Sequence, residues 1–370
     1  MATSTSSKRV RQSHFSEPPA HICVIGVGGG GCNAVMRMGK SKPIPGVRYL
    51  GVNTDTKSLE QLRNAQVLQI GEGLTRGMGA GGNPEMGAQA AEQNKKSLKK
   101  AISGADLIFL AAGMGGGTGT GAAPVVADIA KEVGALVVAV VSTPFSFEGA
   151  RRADTAEMGV NNLRERVDNL VVIHNDRLIQ MLDSDISMSD ALRRADDAVM
   201  LGVLSVAELI NLPGEINVDL ADVKTIMGLP GRALMAIGES EGPGGALRAA
   251  KQAVSNPLLD LSIEGAQGVL FNVSGGPSLK LTEVNETGEY ISSLVDRNAM
   301  IFFGMVNDSS LKTRTRITLI ATGISDQASP MNSLEANLRG LLNRKNFDSG
   351  QPDLDLPPFL RSGSLPRANL

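Results

Sequence analysis

The chain has 370 residues, is 42% hydrophobic and carries a formal net charge of −2. That length holds two domains with cores of their own, and the balanced charge, with no sustained basic run, argues against nucleic acid as a partner. No apolar run approaches the ~18 residues of a membrane span, and the two cysteines, Cys23 and Cys32, lack metal-type spacing and read as free thiols of a reducing compartment.

Residues 1–20 are Ser-rich and weakly basic without a hydrophobic centre, which predicts a disordered arm and not a secretory signal. From 21 to 175, apolar runs at 22–27, 48–52, 67–70, 107–112, 136–141 and 170–173 alternate with helical patterns. Several runs contain no polar residue, as strands buried on both faces of a parallel sheet do. The alternation predicts a doubly wound α/β domain with ligand sites at the carboxyl ends of its strands. Residues 189–210 predict one long helix: Leu192, Ala195, Val199, Val203, Val206 and Ile210 form a stripe, while Met200, Leu201 and Leu204 lie elsewhere around it. A helix apolar on several sides is buried between layers.

A smaller α/β domain follows, with strand-like runs at 234–237, 269–273, 300–306 and 317–321 and helical patterns at 245–254 and 282–295. After Gly323 the composition turns polar, and only Leu334, Leu338, Leu341 and Leu342 offer a short amphipathic helix. The expected division is an arm over 1–20, a nucleotide-binding domain over 21–188, the long helix and its connection over 189–216, the second domain over 217–324, a linker over 325–352 and a tail over 353–370.

Two glycine-rich runs carry the chemistry. The first, at 26–34, holds Gly28, Gly29, Gly30, Gly31 and Asn33; the second, at 113–124, holds Gly115, Gly116, Gly117, Thr118, Gly119 and Thr120. A glycine loop at a helix N-terminus offers an anion unpaired N–H groups and the positive end of the helix dipole, with no β-carbon to hold phosphate oxygens away. Gly26, Gly28 and Gly31 also satisfy a G-x-G-x-x-G pattern with Asp55 beyond the second strand, so a dinucleotide-dependent oxidoreductase is a rival. One pyrophosphate needs one cradle, however, and two cradles on one edge suit a triphosphate. The lysine of a Walker loop is absent, which excludes a P-loop NTPase.

The run GGGTGTG after a strand, followed by Ala122, Ala123 and Pro124, resembles the phosphate loop of the tubulin superfamily and, within it, of the FtsZ family of bacterial cell-division proteins. The resemblance implies GTP or GDP as ligand, with the first run on the α- and β-phosphates and the second on the β- and γ-phosphates. It implies further contacts from Asn53 and Asp55, and from Ala80, Gly81 and Gly82 beside the γ-phosphate. Glu148 matches a ribose-contacting acid and Arg152 an arginine that reaches the phosphates. Base choice falls to Asn175 and Asp196, because a carboxylate accepts from both guanine N1–H and N2–H, a donor pair adenine lacks. Leu192 stands where the family usually stacks an aromatic ring on the base, and His174 departs from a common proline.

Read alone, Asp219 and Asp222 are a helix cap and a first-turn acid. The stretch Asn217, Asp219, Asp222 nevertheless resembles a family loop that enters the nucleotide pocket of the next subunit and orients the attacking water. A site split between subunits implies head-to-tail filaments, and Mg²⁺ would be held mainly by the phosphates and not by side chains. Near the end, Leu354, Leu356, Pro357, Phe359 and Leu360 resemble a terminal peptide that binds membrane-tethering and regulatory division proteins. The resemblance therefore implies a cytoplasmic GTPase that polymerises into the cytokinetic ring on the inner face of the membrane. A nucleotide-binding scaffold without turnover stays open beside it.

Overall fold

A computed structural model describes residues 20–40, 44–180, 186–211, 214–216, 218–255, 261–276, 279–308 and 311–324. Asn217, the arm before residue 20 and everything after 324, including the tail residues Leu354, Leu356, Pro357, Phe359 and Leu360, lie outside them.

Six strands form the first sheet: β1 (Ile22–Val27), β2 (Val47–Asn53), β3 (Gln66–Gln69), β4 (Leu107–Gly113), β5 (Leu136–Thr143) and β6 (Asn169–His174). Their order is β3-β2-β1-β4-β5-β6 and every pairing is parallel. The unbroken apolar runs have a direct cause. Ile22, Val24, Leu107 and Phe109 face one core, whereas Cys23, Ile25, Ile108 and Leu110 face another, so both sides of β1 and β4 are dry. Each core is covered by helices: Gly28–Met38 and Met188–Asn211 on one side, Lys95–Ile102, Thr118–Glu132 and Ala150–Arg164 on the other.

The helix Met188–Asn211 has 24 residues, about 36 Å at 1.5 Å per residue. Val199, Val203, Val206 and Ile210 share a core with Ile22 and Phe109 of the first sheet and with Leu270 and Ile320 of the second. That two-sided burial explains its apolar residues off the stripe. Its last residue is pinned: Asn211 Nδ2 donates to the carbonyls of Ala20 (3.0 Å) and Pro45 (2.8 Å), just before β1 and β2 begin.

The smaller domain has a mixed sheet of β7 (Arg232–Glu241), β8 (Gly268–Gly275), β9 (Met300–Asn307) and β10 (Arg314–Ile324), in the order β7-β10-β8-β9. β10 runs antiparallel to β7 and β8, and β8 pairs with β9 in parallel. Val269, Phe271 and Val273 pack with the helices Gly245–Val254 and Leu281–Leu294, while Leu270 turns to the long helix.

One sequence expectation is corrected here. The glycine-rich segments are not loops throughout, because the helix after β1 starts at Gly28 and the helix after β4 at Thr118. The second helix carries Pro124 in its interior, which removes one donor near its start without ending it. The helices Pro84–Gln93 and Lys95–Ile102 fill a stretch that periodicity left unassigned; Asn83 caps the first by accepting from Glu85 N–H at 2.9 Å. Among the described residues no helix is long and apolar enough to cross a membrane.

Candidate functional site

Because the first sheet is parallel, all its strands end on one edge, and the segments that follow them converge there. The strand order reverses between β1 and β4, the crevice where open α/β sheets take ligands. Both glycine-rich helix starts lie at that reversal. Gly28 has φ +72°, and a β-carbon on it would stand 2.7 Å from Gly119 N, so the two helix starts touch through bare backbone. Gly31 is similarly closed off, against the Ala111 carbonyl.

Gly29 and Gly116 are different. Neither has a positive φ, and among the described residues nothing lies within 4 Å of where a β-carbon would sit. The fold does not require glycine at either position. A groove meant to bring an anion against the backbone does.

Hydroxyls and amides brace this edge. Thr118 Oγ1 lies 2.7 Å from Thr54 Oγ1, and Thr75 Oγ1 donates to the Thr54 carbonyl at 3.3 Å. Thr120 Oγ1 accepts from Gly115 N–H at 2.9 Å. Asn53, buried at the end of β2, accepts from Thr54 N–H at 2.8 Å and Asp55 N–H at 3.3 Å. Asp55 in turn caps the next helix through Lys57 N–H (3.1 Å) and the Ser58 hydroxyl (2.7 Å). The turn at 80–83 abuts the second glycine run, since a β-carbon on Gly117 would be 2.8 Å from Ala80 Cβ and from Asn83 N. Gly81, Gly82 and Asn33 are exposed.

At the rim, Glu148 Oε1 accepts from Phe145 N–H at 2.9 Å and Glu148 Oε2 pairs with Arg152 Nη1 at 2.8 Å. Arg152 leans its stem on Gly115, whose β-carbon would lie 2.8 Å from Arg152 Cγ. His174 Nδ1 is 3.1 Å from Thr143 Oγ1, tying the ends of β6 and β5. Asn175, next along, is 7% exposed, and among the described residues its Oδ1 has no hydrogen-bond partner. Asn169, Asn211 and Asn272 share that condition among the described residues, but Asn175 is the one at the carboxyl edge. A buried acceptor without a donor costs about 1–3 kcal/mol, and a ligand N–H would recover it.

Leu192 is 46% exposed, one turn before Asp196 on the long helix. Asp196 Oδ2 accepts from Arg37 Nε at 3.3 Å, and Arg37 Nη1 reaches Asp197 Oδ1 at 3.3 Å. Burial pushes the Asp196 carboxyl up to about 6, against the lowering effect of Arg37, and Asp197 adds to the rise. Arg37 and Thr54 were not singled out in the sequence. Nothing in the sequence announces a partner 159 positions away.

Asp219 and Asp222 sit elsewhere. Ile216 bridges to Met305 of β9, and Asp219 then caps the helix Leu220–Met227 by accepting from Asp222 N–H at 2.8 Å. Among the described residues no hydrogen bond or ion pair joins either aspartate to the glycine-rich edge. Also among them, no group of three or more His, Cys, Asp or Glu could hold a metal ion.

A parallel sheet whose two glycine-rich helix starts meet at the point of strand reversal, with no Walker lysine, defines an α/β nucleotide-binding protein outside the P-loop class. Residues 21–183 match the family model of the Tubulin/FtsZ family GTPase domain, and residues 231–325 that of the FtsZ family C-terminal domain. An empty FtsZ dimer from M. jannaschii is 41% identical, covering 83% of this chain and 89% of its own, with a TM-score of 0.80. A mutant of the M. jannaschii protein gives 42% identity, 82% and 91% coverage and a TM-score of 0.79. CetZ2 from Haloferax volcanii, in a GTPγS-bound protofilament, shares 22% identity over 87% and 98% of the chains with a TM-score of 0.71, a likeness of fold. The chain belongs to the FtsZ branch of the tubulin/FtsZ family, and its first domain is a GTPase domain of that family. The dinucleotide-oxidoreductase alternative falls with that assignment.

Proposed function

We propose that the protein is a GTP-dependent cytoskeletal polymer that assembles head to tail and hydrolyses GTP where one subunit meets the next. Backbone N–H groups of Gly28–Gly31 and Gly116–Thr120 take the triphosphate, helped by the two helix dipoles, with Gly115 lining the groove. Mg²⁺ would be held mainly by the nucleotide's phosphates and not by side chains, and it would supply neutralisation of their charge. Asn53, Asp55 and the 80–82 turn line the phosphate groove, with Glu148 on the ribose and Arg152 near the phosphates. Asn175 and Asp196 read the base over Leu192. The guanine N–H groups would then supply what Asn175 Oδ1 lacks.

The observation that carries this reading is a separation. The glycine runs follow the carboxyl ends of β1 and β4, whereas the far end of the 24-residue helix is pinned to the amino ends of β1 and β2. Asp219 and Asp222 come after that far end. They therefore serve a neighbouring subunit's γ-phosphate, where with Asn217 they orient and polarise water. Such a contact joins unlike surfaces and propagates into filaments.

In this reading the chain divides at 20, 188, 216, 324 and 352, and the tail at 353–370 binds membrane-tethering and regulatory division proteins through Leu354, Leu356, Pro357, Phe359 and Leu360. The working place is a cytoplasmic ring at the division site. Sedimentation with GTP, GDP and ATP tests the proposal. Pelleting that needs GTP is expected, and indifference to nucleotide would contradict it.

A further inference from the structure

We propose that Arg37 is a positioning residue for base recognition, aiming the Asp196 carboxylate so that it accepts from guanine. The inference rests on the guanine-reading role given to Asp196 above. Arg37 lies in the last turn of the helix Gly28–Met38, the helix whose first turn is the first glycine run. Its guanidinium bridges two successive carboxylates of the long helix, with Nε on Asp196 Oδ2 and Nη1 on Asp197 Oδ1, each at 3.3 Å. A planar fork fixes both directions at once, which a lysine ammonium cannot do.

Two consequences follow for Asp196. Its bond to Arg37 engages Oδ2 alone, so Oδ1 and a second lone pair on Oδ2 can accept from guanine N1–H and N2–H. Its charge also depends on the bridge. The charged groups bearing on it are Arg37 from the packed helix and Asp197 from its own. With Arg37 gone, partial burial and the Asp197 charge would both favour the protonated form, which turns one oxygen into a donor and so cannot take guanine N1–H and N2–H one on each oxygen. The Arg37 and Asp196 side chains are 24% and 19% exposed, so the pair is screened less than a surface ion pair. The same arginine links the base-reading helix to the phosphate-binding one.

The test measures affinities for GTP and inosine triphosphate, which lacks the N2 amino group, between about pH 5.5 and 8.5. Proteins compared are wild type, Arg37→Met, Arg37→Lys and Asp196→Ala. Because the two nucleotides share their triphosphate, their affinity ratio cancels phosphate titration. Arg37→Met should weaken GTP binding about tenfold near neutral pH, raise KM more than it lowers kcat, and move the GTP preference to higher pH. Arg37→Lys should restore the charge and part of the preference. A wild-type ratio and pH profile in Arg37→Met, with Asp196→Ala impaired, would reduce Arg37 to a packing role even if its melting temperature fell. Wild-type GTP affinity in Asp196→Ala would instead remove the base-reading assignment, and this proposal with it.

Discussion

Thr54 Oγ1 and Thr118 Oγ1 lie 2.7 Å apart, both side chains buried, so the segment after β2 holds the first residue of the helix that follows the second glycine run. Thr54→Val keeps the shape and strands the Thr118 hydroxyl. A stability loss of about 1–2 kcal/mol is expected, together with weaker GTP binding, and Thr54→Ser should recover both. Thermal melts and nucleotide titration check this. Unchanged GTP affinity in a less stable Thr54→Val would show that the pair supports the fold alone.

The glycines separate into two groups with opposite outcomes. Gly31→Ala drives a methyl into the Ala111 carbonyl and should unfold the domain or lower its melting temperature sharply. Gly116→Ala meets open space at an ordinary φ, so its melting temperature should match wild type while GTP affinity falls at least about tenfold. Wild-type binding by Gly116→Ala would remove that residue from the phosphate groove.

Much of this architecture was legible because its causes are local. Strands buried on both faces, as β1 and β4 are, spell themselves as unbroken apolar runs, and the runs read for all six strands of the first sheet end within two residues of the strands themselves. The crevice was legible for the same reason, since glycine runs directly after strands must fall on the carboxyl edge. Where the helices begin was not. Gly28–Gly31 and Thr118–Gly121 are poor helix formers by propensity, and tertiary packing overrides it there. Pairs such as Arg37 with Asp196 or Thr54 with Thr118 depend on how strands are ordered, which no local pattern encodes.

Both cysteines should be inert in the folded protein. Burial raises the Cys23 thiol to about 11 and the Cys32 thiol to about 12, and Cys32 Sγ sits 3.6 Å from the Gly26 carbonyl. The thiolate is the reactive form, so an aromatic disulfide reagent at mildly alkaline pH should label neither until denaturant is added. Rapid labelling of the native protein would place a thiol at the surface.

Asp196 should cost the nucleotide-free protein stability. Its folded value of about 6 lies above the unfolded one, so its favourable contribution is complete below about pH 4 and lost as pH rises through 6. Asp196→Asn should therefore raise the melting temperature of the nucleotide-free form near neutral pH, by about 1–2 kcal/mol in stability, with the gain shrinking toward about pH 4.5. GTP affinity should fall in the same variant. A destabilised Asp196→Asn at neutral pH would mean that the Arg37 bond outweighs the cost of burial.

Phosphate release per subunit, measured against protein concentration, tests the shared site most directly. Wild type should be nearly silent below an assembly threshold and rise above it. Asp219→Asn, which keeps the cap on Leu220–Met227, and Asp222→Ala should bind GTP and sediment with it, yet hydrolyse at least about a hundredfold more slowly. Turnover independent of concentration, with both variants as active as wild type, would leave Asp219 and Asp222 as helix-capping residues and contradict the account.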